Sequence, residues 1–183
     1  LEHQAVDLVV LDLMMPDISG PEFCRRLKSN RKTQLLPILM ITSVQGAEHE
    51  VLGIDNNLRQ YFFGPGGDTS SRRKELESDF RNYRHADIDI RDRDAVASAA
   101  AGCDAVYHCA AIADLDQARS DARLAIDVNV LGTLSVLEAA AVAGASRFLQ
   151  ASSVYVFSRG GSVYRTTKRA AENLVEDLSA MLG

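Results

Sequence analysis

The 183-residue chain has little that would take it to a membrane, a nucleic acid or an oxidising compartment. Its longest apolar stretches are about eight residues, well short of the roughly 20 that a membrane-spanning helix needs. No charged-then-apolar leader with a cleavage site opens it. Positive charge is not in excess: 20 Lys and Arg stand against 25 Asp and Glu, for a net charge of -5. A surface for nucleic acid or acidic lipid needs a basic stripe instead. Cysteine is scarce, and Cys24, Cys103 and Cys109 form neither a C-x-x-C nor a His/Cys cluster. An odd number without metal spacing excludes a disulfide framework and suits a reducing compartment. The expectation is a cytoplasmic, soluble protein with no metal, no nucleic acid and no membrane partner. Internal repeats and low-complexity tracts are lacking too.

What is there is ordinary globular material, 46% hydrophobic and 25% charged, enough for one substantial core or one and a half domains. Asp7-Leu-Val-Val-Leu-Asp-Leu13 is an apolar run closed by Asp12 and the turn signal Met15-Pro16-Asp17, the pattern of a buried parallel strand. Ser19-Gly20-Pro21-Glu22 opens a helix, and Leu35 to Thr42 forms a second strand, so the first part is βαβ. From Ser43 to Ser70 the pattern is ambiguous. Ala47 to Leu58 fits an amphipathic helix and His49 to Asp55 fits a strand, and period alone does not decide. Gly64-Pro65-Gly66-Gly67-Asp68-Thr69-Ser70-Ser71 is the most loop-like stretch and is expected to be a flexible boundary.

Alternation then resumes. Arg72 to Arg81 is expected to be a charged helix and Tyr83 to Ile88 a strand. Asp92 to Ala101 is a helix capped by Asp92 and closed by Gly102. Asp104 to Cys109 is a buried strand, Asp116 to Ala143 one long helix ending at Gly144, Arg147 to Ser152 a strand, and Tyr164 to Met181 an amphipathic helix. Alternating strands and helices give a three-layer α/β fold, a parallel sheet with helices on both faces.

Asp12 at a strand end, followed by Met14, Met15, Pro16, Asp17 and Gly20, with Thr42 at the end of the next strand, resembles the phosphorylation loop of bacterial response-regulator receiver domains. The resemblance implies that Asp12 accepts phosphate and Thr42 senses it. Phosphoryl transfer to a carboxylate depends on positioning and on stabilisation by metal and lysine. The family's acidic pair follows its first strand, which would precede this chain, and its lysine stands before a proline where this chain has Gly64-Pro65. Tyr61 and Pro65 fall where that family keeps an aromatic and a proline in its last strand.

A second set of words follows from about His49: His49-Glu-Val-Leu-Gly-Ile-Asp55-Asn56-Asn57, Asp89-Ile90-Arg91-Asp92, His108-Cys109-Ala110-Ala111, Asn129-Val-Leu-Gly-Thr133, Ala151-Ser152-Ser153 and Tyr164-Arg-Thr-Thr-Lys168. In this order they resemble the extended short-chain dehydrogenase/reductase family, in particular NAD-dependent sugar epimerases and dehydratases. A tyrosine and a lysine four apart share one helix face, and an ammonium beside a phenol eases proton exchange with a substrate hydroxyl during hydride transfer. By the resemblance Tyr164 and Lys168 are the catalytic pair, Ser153 holds the substrate oxygen and Asn129 is the fourth polar member. Asp55 meets the adenosine ribose, Asp89 and Ile90 lie beside adenine, Ala110 is a further cofactor contact, and His108 is a cofactor-wall or core residue rather than a base.

Such enzymes seat pyrophosphate on a glycine-rich turn at a helix N-terminus. No G-x-G-x-x-G or G-x-x-G-x-x-G occurs in the chain, and the receiver-like piece stands where that turn belongs. The last Rossmann strands and the sugar-binding domain would follow Gly183. The expectation is therefore a Rossmann-like/flavodoxin-like hybrid, receiver-like over about 1–47 and epimerase-like over about 48–183, merged into one α/β domain. It would be an engineered or library-derived chimera without evolved activity, with no cofactor or NAD(P) if any. Residual oxidoreductase activity and phospho-receiver signalling are the alternatives. Unpaired strand edges recruit other chains, so a homodimer is expected.

Overall fold

The computed structural model describes residues 9–12, 23, 26, 29, 38–41 and 50–182, and the chain divides into two compact units, Leu1–His49 and Glu50–Gly183. In the first unit β1 (Val9–Asp12) and β2 (Ile38–Ile41) pair in parallel, Val9 opposite Ile38 and Asp12 opposite Ile41. Parallel strands require a crossover, and Phe23, Arg26 and Ser29 within it are helical. Asp12 is the last residue of β1. Thr42 lies outside the described residues.

The second unit alternates strand and helix. Its elements begin with β3 (Val51–Ile54), α1 (Leu58–Phe63), a 3-10 turn (Gly64–Gly67), α2 (Ser70–Asp79), β4 (Tyr83–Ala86), α3 (Arg93–Ala100) and β5 (Ala105–His108). They continue with α4 (Leu115–Ser120), α5 (Ala122–Ile126), a π-helical segment (Asp127–Gly132), α6 (Thr133–Ala143), β6 (Arg147–Gln150), a 3-10 turn (Val154–Phe157) and α7 (Ser162–Leu182). β3 pairs with β4 and β5 with β6, both in parallel. The protein is thus α/β with parallel strands, of the three-layer Rossmann-like class.

The ambiguous stretch resolves as strand. Val51 and Ile54 are β-branched, and Gly53 admits the Tyr83 ring across the ladder: a Cβ at Gly53 would stand 2.1 Å from the Tyr83 hydroxyl oxygen. Cross-strand packing therefore decides what periodicity left open.

Four expectations are corrected. Gly64–Gly67 is a 3-10 turn closing α1, with Gly67 buried against the Arg59 carbonyl, so this stretch is ordered structure inside the second unit and not a boundary. Tyr61 and Pro65 accordingly sit in a helix and a turn, not in a strand. The single helix expected from Asp116 to Ala143 is broken at Asp121, whose carboxylate turns back to accept the Leu124 N–H at 2.9 Å. A short acidic side chain that caps competes with helix continuation, and an apolar pattern running through the break cannot reveal it. The strand at Asp104–Cys109 is buried on one face only: Tyr107 is 70% exposed, and so is half of Leu149, its partner on β6.

Other boundaries follow the local chemistry. Asp92 caps α3 by accepting the Ala95 N–H. Gly102 and Gly144 take the positive φ, 78° and 71°, that the two helix exits need. The core runs through Ile90, Val96, Ala100, Ile112, Ala118, Ala125, Val128, Ala139 and Tyr164. Gly132 lies so close to Ile90 that a Cβ would fall 2.6 Å from its Cδ1 atom. Gly132→Ala is expected to lower unfolding stability by about 1–3 kcal/mol through overpacking; urea denaturation measures it, and an unchanged midpoint would refute the close approach. The helical run Ala122–Ala143 is long and apolar enough to cross a membrane by composition, yet half of it is buried inside the unit and it carries core residues.

Candidate functional site

α7 brings three polar side chains onto one buried face. Tyr164, Thr167 and Lys168 stand at i, i+3 and i+4, the spacing that stacks residues on a helix, and all three are buried. Gly161 before the helix and Ser162 at its first position have φ of 93° and 45°, so the chain turns sharply into it. The Tyr155 ring meets Tyr164 edge-on at 6.1 Å between centroids.

Lys168 is 4% exposed. Burial pulls its ammonium below the ordinary lysine range, while the negative charge available at Cys109 and Glu172 pulls it back. Glu172 is one turn further along α7 and accepts the Ser152 hydroxyl at 2.5 Å. Ser152 is thereby tied to the turn of α7 that follows Lys168. Ser153 caps the 3-10 turn, its Oγ accepting the Tyr155 N–H at 3.3 Å.

Asn129 is 1% exposed and sits within the π-helical segment. Its Oδ1 accepts the Ile112 N–H at 2.7 Å, and its Nδ2 donates to the Ile112 carbonyl at 3.1 Å and to Thr167 Oγ1 at 3.0 Å. One amide thus joins the segment after β5, the π segment and α7. His108, at the end of β5, approaches Thr133 Oγ1 at 2.9 Å through Nε2, and that hydroxyl donates to the Asn129 carbonyl at 2.8 Å. Since the only hydroxyl proton is spent, Nε2 must be the donor. Burial first, and the Lys168 charge second, lower the His108 pKa to about 4. It is a neutral core histidine.

Two of the expected cofactor contacts, Asp55 and Asp89, carry hydrogen bonds to their own chain. Asp55 is exposed at the end of β3, but its Oδ1 accepts the Asn57 N–H at 2.6 Å and the Thr69 hydroxyl at 3.1 Å. Asp89 is gripped by Arg91 through Nε and Nη2, and these bonds hold its carboxyl below the usual range. Ile90 is buried under Gly132, while Ala110 is exposed beyond β5. Among the described residues no group of three His, Cys, Asp or Glu stands close enough to hold a metal.

Among the described residues, those of α7 fit the nicotinamide end of a dinucleotide, and none forms a glycine cradle for its phosphates. The Tyr164/Lys168 face has the burial and spacing for proton handling. At the phosphate end, the clustered glycines Gly64, Gly66 and Gly67 close α1, and Gly67 packs against the Arg59 carbonyl; they form no turn between a strand and a helix N-terminus. Sequence reasoning missed Thr167, Thr133, Ser152 and Glu172. The buried face i, i+3, i+4 of α7 was the available signal for Thr167.

The family model for the NAD-dependent epimerase/dehydratase family matches residues 39–181, and the model for the response regulator receiver domain matches residues 1–68. The two matches overlap over 39–68, so this stretch satisfies both patterns. The phosphate regulon transcriptional regulatory protein PhoB of Rhizobium meliloti is 37% identical over 65 residues, 36% of this chain and 29% of that protein. Among solved structures, the dTDP-glucose 4,6-dehydratase DesIV from Streptomyces venezuelae, with NAD bound, is 19% identical at a TM-score of 0.62, covering 94% of this chain and 51% of that one. The UDP-Glc/GlcNAc 4-epimerase from Campylobacter jejuni is 15% identical at a TM-score of 0.59, covering 96% and 50%. These likenesses establish the fold. The chain spans about half the length of these solved structures and under a third of the curated relative.

Proposed function

Because the chain belongs to the NAD-dependent epimerase/dehydratase family through residues 39–181, we propose that its second unit keeps the proton-handling face of a nucleotide-sugar oxidoreductase on a frame that no longer seats dinucleotide phosphates. A receiver and an epimerase/dehydratase-like domain are both present, and the join between them is an artificial, engineered or library-derived one without evolved activity. One observation carries the proposal. Tyr164 and Lys168 are buried together on α7, whereas Asp55 and Asp89 are bonded to their own neighbours and the clustered glycines Gly64, Gly66 and Gly67 close a helix instead of opening one.

In this reading the chain's own residues do limited work. Lys168, held buried, supplies positive charge to the face carrying Tyr164, and Ser152 and Glu172 fix the next turn of α7. A bound nicotinamide would supply hydride transfer. Titration calorimetry with NAD(H) is expected to show no binding tighter than about millimolar, since backbone contacts to the phosphates are the main source of affinity. Micromolar binding lost in both Tyr164→Phe and Lys168→Ala would overturn it and favour residual NAD(P)-dependent oxidoreductase function, the second reading, which the burial of the Tyr/Lys pair supports.

The same frame leaves Tyr107 and Leu149 side by side and open on the β5–β6 ladder. Two apolar neighbours on an uncovered sheet face favour self-association. Light scattering is expected to give a dimer mass that falls in Tyr107→Lys. A monomer at high concentration would count against it.

A further inference from the structure

We propose that Thr167 is a positioning residue which, through Asn129, sets where the helix bearing Tyr164 and Lys168 stands against the segment that follows β5. This rests on the reading of that helix face as the proton-handling one. The bonding leaves little freedom. Thr167 Oγ1 donates its only proton to the Tyr164 carbonyl at 2.9 Å, so it can meet Asn129 only as an acceptor. Asn129 Nδ2 has two protons, and both are used, on Thr167 Oγ1 and on the Ile112 carbonyl. Its Oδ1 takes the Ile112 N–H.

The amide therefore satisfies both backbone groups of one residue of the β5 exit, the Ile112 N–H and carbonyl, while its remaining proton pins α7. Both side chains are 1% exposed, so no solvent competes for these bonds, and a lost partner leaves a buried donor unpaired. The π-helical segment is what turns Asn129 to this task. An inserted residue in a helical turn rotates the side chains that follow, and such bulges recur at functional sites.

The clamp acts on the right neighbours. Lys168 follows Thr167 directly, and the groups that act on its ammonium come from both elements the clamp joins: Cys109 from beyond the end of β5 and Glu172 from α7. A shift of α7 relative to the β5 exit changes the distance from Lys168 to Cys109 and leaves that to Glu172 as it is. Thr167 touches no reacting atom in this account; its effect passes through the placement of Tyr164 and Lys168.

The experiment is a titration of Lys168 by carbon NMR in the full chain labelled at lysine Cε, the resonance assigned with Lys168→Arg and read without dinucleotide. Thr167→Val keeps the shape and removes the acceptor. It is expected to move the Lys168 midpoint by about half a pH unit or more, as burial and neighbouring charge change, and Thr167→Ser is expected to restore it. An unchanged midpoint in the valine variant, or no recovery in the serine variant, would overturn the proposal. Should the valine variant not fold by circular dichroism, Thr167→Ala with the serine variant makes the same comparison. Since no dinucleotide is present, tight NAD(H) binding would sink the preceding claim of a silent site and leave this one standing.

Discussion

Acidification from pH 7 to pH 4 is expected to remove about 3 kcal/mol of folding stability through His108 alone. Its pKa falls from 6.5 in the unfolded chain to about 4 in the folded one. A base whose folded value is depressed binds its proton more readily when unfolded. Stability from this group is therefore complete above about pH 6.5 and is lost as pH falls from there toward 4. The loss is about 2 kcal/mol by pH 5 and levels off below about pH 4. Its cause is burial first, the ring being 4% exposed, and the Lys168 charge second. Urea unfolding at pH 7 and pH 5, in the native chain and in His108→Gln, isolates the contribution. Equal pH dependence in the two would show that His108 is not the responsible group.

Asn129→Ala is expected to be the most damaging single substitution in the second unit, at roughly 3–5 kcal/mol. It removes three hydrogen bonds at once and strands the Ile112 N–H and carbonyl in the interior. Each buried group left unpaired costs about 1–3 kcal/mol, and a small side chain in a full site adds a cavity. Thr167→Val, which leaves two of the three bonds in place, should cost about a third as much. Chemical denaturation of both variants tests the ratio. A loss below about 1 kcal/mol for Asn129→Ala would mean that water or another group replaces the amide.

Much of the frame is legible in the chain itself. Asp92, Gly102 and Gly144 mark their helix ends because capping and positive φ depend on one residue and its immediate neighbours. Three of the four strands of the second unit, β4, β5 and β6, and the Tyr164 helix follow from hydrophobic period. Asn129, Tyr164 and Lys168 stand out as polar residues at fixed offsets, and the structure buries all three. Less legible were the breaks and the partners. The interruption at Asp121 depends on whether one carboxylate caps or projects, and the apolar pattern is the same either way.

The chain alone therefore determined its alternating α/β order, its two-part character and the residue types that a nicotinamide site would use, because these depend on local sequence. Only the tertiary structure decided that residues 51–54 are a strand, since the room at Gly53 for Tyr83 exists only once the two segments pair. Only it showed that Ser152 reaches Glu172, that Asp55 Oδ1 and both Asp89 oxygens are bonded to neighbours, and that Thr167 completes a clamp through Asn129. Those facts are hydrogen bonds between segments up to 38 residues apart. Periodicity places a side chain on a face; it cannot say which donor from elsewhere in the chain will meet it there.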